Sequence, residues 1–198
     1  MKREFPRRAP MGDNETVPQP CAMGNDCRWY VMRDLTRPNA KHPAYAMLAG
    51  EGIRFFTPMT WKIYTSGGRR ERRWVPVMHD LLFVYSSRDV IDPIVERVST
   101  FQYRFTRNSH HEPMVVRTED MERFIHAVDV SQAPQYFRPD EVTAAMCHRR
   151  VRIIGGNLDG YEGSLLTTRG SKKKRLLIEL PMLLAAAVEV EPEYIQLL

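Results

Sequence analysis

One stretch decides the fold expected for the C-terminal part of this chain: Val151-Arg152-Ile153-Ile154-Gly155-Gly156-Asn157-Leu158-Asp159-Gly160-Tyr161-Glu162-Gly163. Alternating apolar residues run into a turn in which Gly156, Gly160 and Gly163 follow at offsets of four and three. Glycine reaches positive φ without steric cost, so three glycines this close together predict a tight loop between strands. The short apolar segments that follow, separated by glycine, proline and lysine, predict a small β-barrel over residues 148–198.

One segment of this region allows two interpretations. Residues 183–188 read Leu-Leu-Ala-Ala-Ala-Val, a composition with good helical propensity. Pro181 before it and the alternation Val188-Glu189-Val190 after it favour a strand of the barrel instead.

Length and composition describe an ordinary globular protein. The chain has 198 residues, 43% of them hydrophobic, enough for one large or two small domains. It has no apolar run long enough to span a membrane, and the N-terminus lacks the apolar core of a signal peptide, so we expect a cytoplasmic protein. Cys21, Cys27 and Cys147 are irregularly spaced, which favours reduced thiols over a zinc site formed with His148.

The rest of the chain divides into a leader, a larger domain and a linker. Residues 1–26, with four prolines and little apolar content, predict a flexible leader, and 131–147, with Pro134 and Pro139, predict a linker. Between them, 28–130 alternates predicted strands and helices, with Asn39 or His42 capping the first helix. We expect an α+β sandwich with a mostly antiparallel sheet. Its strands are predicted at 28–33, 53–57, 81–85 and 114–117, its helices near 44–48, 91–98 and 121–128, and a hairpin at 61–64 and 73–75.

Positive charge is concentrated in two places. Around the predicted hairpin turn Ser66-Gly67-Gly68, five basic residues face one acidic residue, a local net charge of +4. Residues 149–175 carry a local net charge of +6. Clusters of this kind attract phosphates or acidic protein surfaces, although two solvated hairpin tips would explain the same pattern. The hairpin cluster comprises Lys62, Arg69, Arg70, Arg72 and Arg73 with Glu71.

The order of these parts resembles the NusG-like transcription factors over residues 28–198. The glycine-rich stretch 151–163 is similar to their KOW motif, which includes Gly156, Gly160 and Gly163 here. Arg28-Trp29-Tyr30-Val31 resembles the first strand of their N-terminal (NGN) domain, 52–58 the strand after its first helix, and 113–125 the last strand and helix of Bacteroides-type paralogues. The resemblance implies an NGN α/β sandwich followed by an SH3-like KOW β-barrel.

The resemblance implies binding without catalysis or a cofactor. An NGN domain binds the β′ clamp helices of RNA polymerase and suppresses pausing or termination, while the KOW domain recruits a ribosomal protein or termination factor. Tyr30, Met78 and Leu81 match the polymerase-binding pocket, with Trp29 on the opposite strand face. Ordinary core packing would explain the same residues. His79 and Asp80 replace the proline and glycine common there, which indicates a specialised paralogue.

The hairpin arginines lie where the family carries an insertion that reaches nucleic acid. Arg69, Arg70, Arg72 and Arg73 are therefore expected to contact non-template DNA or nascent RNA, with Trp61 and Trp74 available for stacking.

Two other function classes are compatible with parts of the sequence. An enzyme would rest on His110-His111-Glu112 or His79-Asp80, but adjacent residues of an extended segment point to opposite faces, and no catalytic motif accompanies them. A KOW-type RNA-binding or ribosome-associated protein would explain the basic barrel without polymerase. The predicted NGN domain distinguishes the two, because a ribosomal KOW protein would lack it.

Overall fold

A computed structural model of the chain describes residues 26–38, 40–106, 111–166 and 173–198. The fold divides into two compact units, Met1–Thr57 with His79–Met114 and Pro58–Met78 with Val115–Leu198. The described residues form a mixed α+β structure, as the sequence predicts. Its elements, in chain order, are β1 (Arg28–Asp34), α1 (Ala44–Gly50), β2 (Arg54–Phe56), β3 (Met59–Ser66), β4 (Arg69–Pro76), β5 (Leu82–Ser86), α2 (Arg88–Arg97), β6 (Phe101–Tyr103), β7 (Val115–Val116), α3 (Thr118–Val130), β8 (Gln135–Phe137), β9 (Cys147–Ile153), β10 (Glu162–Leu166), β11 (Lys174–Leu180), β12 (Leu184–Val190) and β13 (Ile195–Leu197).

The first unit is built on an antiparallel sheet of order β2-β5-β1-β6. The apolar run at 82–85 forms β5, which pairs with β1 on one side and β2 on the other. This confirms the prediction of a central strand, because only such a strand has both edges paired and both faces covered. Side chains of β1 and β5 share a buried cluster with α1 and α2, including Met32, Leu48, Val84 and Ile91.

Helix α1 begins differently from the prediction. His42 is not its N-cap, because the helix follows Pro43, whose side chain makes no capping hydrogen bond; Asn39 lies outside the described residues. Asp34, at the end of β1, supplies the acceptor, because its Oδ2 takes a hydrogen bond of 2.8 Å from the Ala44 amide. The acceptor lies ten residues away along the chain, so local sequence pattern did not reveal it.

The second unit contains α3 and an antiparallel sheet of order β13-β9-β10-β11-β12-β8. Helix α3 packs on β11 and β12, and its Ala127 lies in one cluster with Val151, Leu176 and Val188. The segment whose composition allows a helix or a strand forms the strand β12, as its flanking residues predict. The strands predicted for this part of the chain are therefore present in an antiparallel sheet, and the small KOW β-barrel stays a prediction.

The division of the chain differs from the expected limits of 28–130, 131–147 and 148–198. Helix α3 packs in the second unit, and Gln135–Phe137, inside the expected linker, is the edge strand paired with Ala185–Ala187 of β12. Phe137 packs against a cluster that includes Leu166, Leu177 and Ala187. The small alanine side chains of β12 leave room for this aromatic ring, so the proline-flanked segment is held by the sheet.

The structure also bears on the state of the cysteines and on the length of the helices. The expectation of reduced thiols is wrong for Cys27, which is disulfide-bonded, whereas Cys147 is free. Disulfide pairing depends on how the chain brings two cysteines together, and spacing alone does not report it. Among the described residues, none of the helices is long and apolar enough to cross a lipid bilayer.

Candidate nucleic-acid interface

The predicted hairpin is present, and its two strands, β3 and β4, pair with each other over their full length. We call this ribbon, Met59–Pro76, the basic arm. Gly67 and Gly68 connect the strands with φ values of +56° and +77°. Positive φ at both central residues is typical of a type I′ turn, whose twist matches that of the strands. Residues 62–65 and 67–73 are all exposed. The arm therefore offers two long faces to solvent.

One face of the arm combines aromatic rings with arginine. Trp61 and Trp74 are directly opposite each other in the register, and their ring centroids lie 5.1 Å apart. The guanidinium of Arg72 lies 4.5 Å from the centroid of Trp61, a distance suited to a cation–π contact. Arg70 lies two residues before Arg72 in the same strand, so its side chain is on the same face. This face can therefore present positive charge and stacking surface together.

The opposite face is partly neutralised. Arg73 makes an ion pair of 2.6 Å with Glu71 and lies over the ring of Tyr64 at 5.5 Å. The hydrogen bond from Arg73 lowers the pKa of Glu71, so this carboxylate stays ionised at neutral pH. Within the described part of the chain, four other cations of the arm have no carboxylate at ion-pair distance. These are Lys62, Arg69, Arg70 and Arg72.

The arm can thus bind a polyanion in two ways. Unpaired cations can neutralise phosphates and release their counterions, and the half-buried rings of Trp61 and Trp74 can stack on bases. Of the four arginines predicted for this role, Arg69, Arg70 and Arg72 are available, while Arg73 is held by Glu71. The structure therefore brings the predicted residues onto one ribbon and separates them by face and by pairing.

The residues matched to a polymerase-binding pocket lie in the interior. Tyr30, Met78 and Leu81 are only 5%, 5% and 2% exposed. Tyr30 packs edge-on against Tyr103 at 5.6 Å within the core of the first unit. Trp29, expected on the other face of β1, is also buried. In this conformation their side chains pack within the fold, and a role in binding polymerase stays a prediction.

Glycine is required at the three motif positions for different structural reasons. Gly156 and Gly160 have φ values of +68° and +76°, which non-glycine residues rarely adopt. Gly163 has ordinary backbone, but a Cβ there would lie 2.3 Å from the carbonyl oxygen of Leu177 on β11. It is required because β11 approaches so closely. Gly155, which the motif analysis left out, has φ +110°, and its Cβ would lie 2.9 Å from the ring of Tyr194.

A side-chain cluster that the sequence analysis missed joins α3 to the glycine-rich loop. The Tyr161 hydroxyl donates a hydrogen bond of 3.0 Å to the Arg123 carbonyl oxygen, and it lies 3.0 Å from His126 Nδ1. The Arg123 guanidinium lies 4.7 Å from the Tyr161 ring centroid. Burial raises the pKa of Tyr161, so the hydroxyl keeps its proton. Arg123 and His126 lie three residues apart on one helix face, and this spacing is the sequence signal from which the cluster could have been predicted.

The residues of the enzyme alternative are held by other contacts or lie outside the described residues. His79 Nε2 hydrogen-bonds to the carbonyl oxygen of Thr36, and Asp80 makes an ion pair of 3.5 Å with Arg104. His110 lies outside the described residues. In the part of the chain that the structure describes, no three His, Cys, Asp or Glu side chains are grouped so as to hold a metal ion.

Comparison with known proteins adds no assignment: no protein-family model and no curated protein matches this chain.

Proposed function

We propose that the chain is a NusG-like transcription elongation factor that acts by binding and not by catalysis. Its first unit binds the clamp helices of the RNA polymerase β′ subunit and suppresses pausing and termination, as the family resemblance implies. The sheet of the second unit corresponds to the KOW domain and recruits a further partner, such as a ribosomal protein or termination factor. This function implies a cytoplasmic protein.

The basic arm is the observation that carries the proposal. An exposed ribbon carrying a net charge of +4 attracts a polyanion, which supports a factor that reaches nucleic acid on the polymerase. The Trp61, Trp74 and Arg72 face supplies contacts that suit unpaired bases of the non-template strand or of nascent RNA. The arm also follows β2 and precedes β5, the place where the family carries its insertion.

A second candidate, a KOW-type RNA-binding or ribosome-associated protein, draws support from the basic residues of the second unit. It gives no role to the first unit with its sheet of order β2-β5-β1-β6. The two candidates differ in what they bind once nucleic acid is removed.

The test is co-purification from a bacterial extract treated with nuclease. The full chain should retain RNA polymerase after the treatment, and a variant with Arg69, Arg70 and Arg72 changed to Gln should retain it as well. That result is expected because the arm contacts nucleic acid and the first unit contacts polymerase. Recovery of ribosomal proteins without polymerase would favour the second candidate, and loss of every partner on nuclease treatment would favour simple RNA binding.

A further inference from the structure

A cleft opens at one end of the sheet in the second unit, with a volume of about 390 Å³. Strand β10 ends where β9 and β11 begin, since Leu166 pairs with both Cys147 and Arg175. This arrangement brings basic side chains from two strands to one place, above two leucines of the strand between them. The residues that line the cleft are His148, Arg149, Leu165, Leu166 and Lys174, and none of them is acidic.

Ion pairing sets these basic residues apart from their neighbours. On β9, Arg150 and Arg152 lie 3.9 Å and 2.5 Å from Glu162. Lys173, which directly precedes β11, lies 2.6 Å from Glu189, and Arg175, on β11, lies 3.3 Å from the same carboxylate.

The residues of the cleft itself have no such partner. Over the described ranges, no carboxylate lies within ion-pair distance of His148, Arg149 or Lys174. A cation that already has a carboxylate partner contributes little to the outer field, so among the described residues of this end the uncompensated charge is concentrated in the cleft.

The pairing follows from strand geometry. Successive residues of a strand point to opposite faces, so Lys174 points away from the side of β11 on which Arg175 meets its cross-strand partner Glu189. The sequence shows only a basic run from Lys172 to Arg175. The register between β11 and β12 decides which described members of that run are neutralised.

The chemistry of the cleft suits a phosphate group. The guanidinium of Arg149 can hold two phosphate oxygens at once, and Lys174 adds a compact charge. Two cations around one cavity match the dense charge of a phosphate backbone better than the single charge of a carboxylate. Leu165, which is only half-buried, offers an apolar surface for a base or sugar beside the phosphate. A volume near 390 Å³ is at the lower end of small-ligand sites, and an apolar side chain beside the cations suits the unstacked base of a single strand.

We propose that this cleft binds the phosphate backbone of single-stranded nucleic acid, as a site separate from the basic arm. The inference stands on the cleft residues alone and does not depend on contact between the arm and nucleic acid.

The experiment measures binding of a short labelled single-stranded RNA to the full chain by fluorescence anisotropy at several salt concentrations. The double variant Arg149→Gln, Lys174→Gln removes two unpaired cations. Each phosphate contact on a single strand contributes about 0.7 to the slope of log affinity against log salt, so the slope should fall by about 1.4. A fourfold rise in salt should then cost the wild type about sevenfold more affinity than the variant.

The matched control is Arg150→Gln, Lys173→Gln, which removes the same charge from positions that have carboxylate partners. Its salt slope should stay close to that of the wild type. Both variants change exposed side chains, so their thermal melts should coincide with that of the wild type. An unchanged slope in the Arg149/Lys174 variant, or an equal fall in the control, would overturn the inference.

A parallel series places both doubles on a background in which Arg69, Arg70 and Arg72 are Gln. The cleft contribution to the slope should persist there. If the cleft contribution persists and the three arm substitutions alone leave the salt slope unchanged, the arm does not contact RNA. That part of the proposed function would then be wrong, and the inference about the cleft would stand. Competition separates other ligands: displacement of the RNA by inorganic phosphate as effectively as by unlabelled RNA would assign the cleft to free phosphate. Displacement by an acidic peptide would assign it to a protein. Either result would overturn the inference.

Discussion

Replacing Gly163 with alanine tests a close backbone approach in the second unit. The new Cβ would lie 2.3 Å from the Leu177 carbonyl oxygen and 3.1 Å from Leu176 Cδ1. An ordinary contact requires β10 and β11 to separate by about 1 Å, and extra atoms in a packed interior typically cost about 1–3 kcal/mol. The separation also weakens the adjoining ladder at Ser164, worth about 1 kcal/mol. We expect a total loss of about 2–4 kcal/mol.

Hydrogen exchange of the β10 and β11 amides is the assay, because it reports the stability of this sheet separately from that of the first unit. Gly160→Ala is the matched control: its Cβ would meet no atom within 4 Å, so only the strained φ of +76° remains. That strain costs about 1–2 kcal/mol, and Gly160→Asn should recover part of it because asparagine tolerates this conformation. If Gly163→Ala lost less protection than Gly160→Ala, the reasoning from close approach would be refuted.

Three more changes have defined outcomes. Tyr161→Phe keeps the ring but loses the bond to the Arg123 carbonyl, so the same exchange assay should show about 1 kcal/mol less stability, and unchanged protection would count against that bond. Glu189→Gln should cost about 2 kcal/mol at neutral pH, because hydrogen bonds from Lys173 and a second cation lower the pKa of Glu189. That stabilisation is full above the ordinary glutamate pKa and is lost as pH falls through the lowered one, so denaturation at decreasing pH should bring variant and wild type together; a widening gap would contradict it. Trp61→Ala should weaken single-stranded RNA binding by about 1–3 kcal/mol with an unchanged salt slope, and an altered slope would argue against stacking.

Elements with a strong local pattern could be predicted from sequence. The hairpin turn at Gly67-Gly68 and the apolar run of β5 each carry their signal within a few residues. Strand β8 could not be predicted, because three residues between Pro134 and Pro139 are too short to show a period. The apolar stripe of α3 indicates that one face is buried, but a stripe does not say which sheet covers it.

The candidate sites could be predicted only in part from sequence, because they depend on contacts between residues that are distant along the chain. Alternation along β1 places Trp29 and Tyr30 on opposite faces, but it does not reveal that both faces are covered. Counting charges gives the sum over 149–175 without showing that Glu189, on another strand, compensates Arg175. Pairing of this kind depends on strand register, which the turn and the packing set together. The sequence therefore located the basic segments, and the structure distinguished their paired from their unpaired members.

Transcription in vitro past a terminator, with purified bacterial RNA polymerase, tests the proposed function most directly. The wild-type chain should raise readthrough above that of polymerase alone. A variant with Arg69, Arg70 and Arg72 reversed to Glu should still bind polymerase but raise readthrough less and with weaker dependence on salt, because the arm would repel nucleic acid. Readthrough unaffected by the wild-type chain, with no association between the chain and polymerase, would contradict the account.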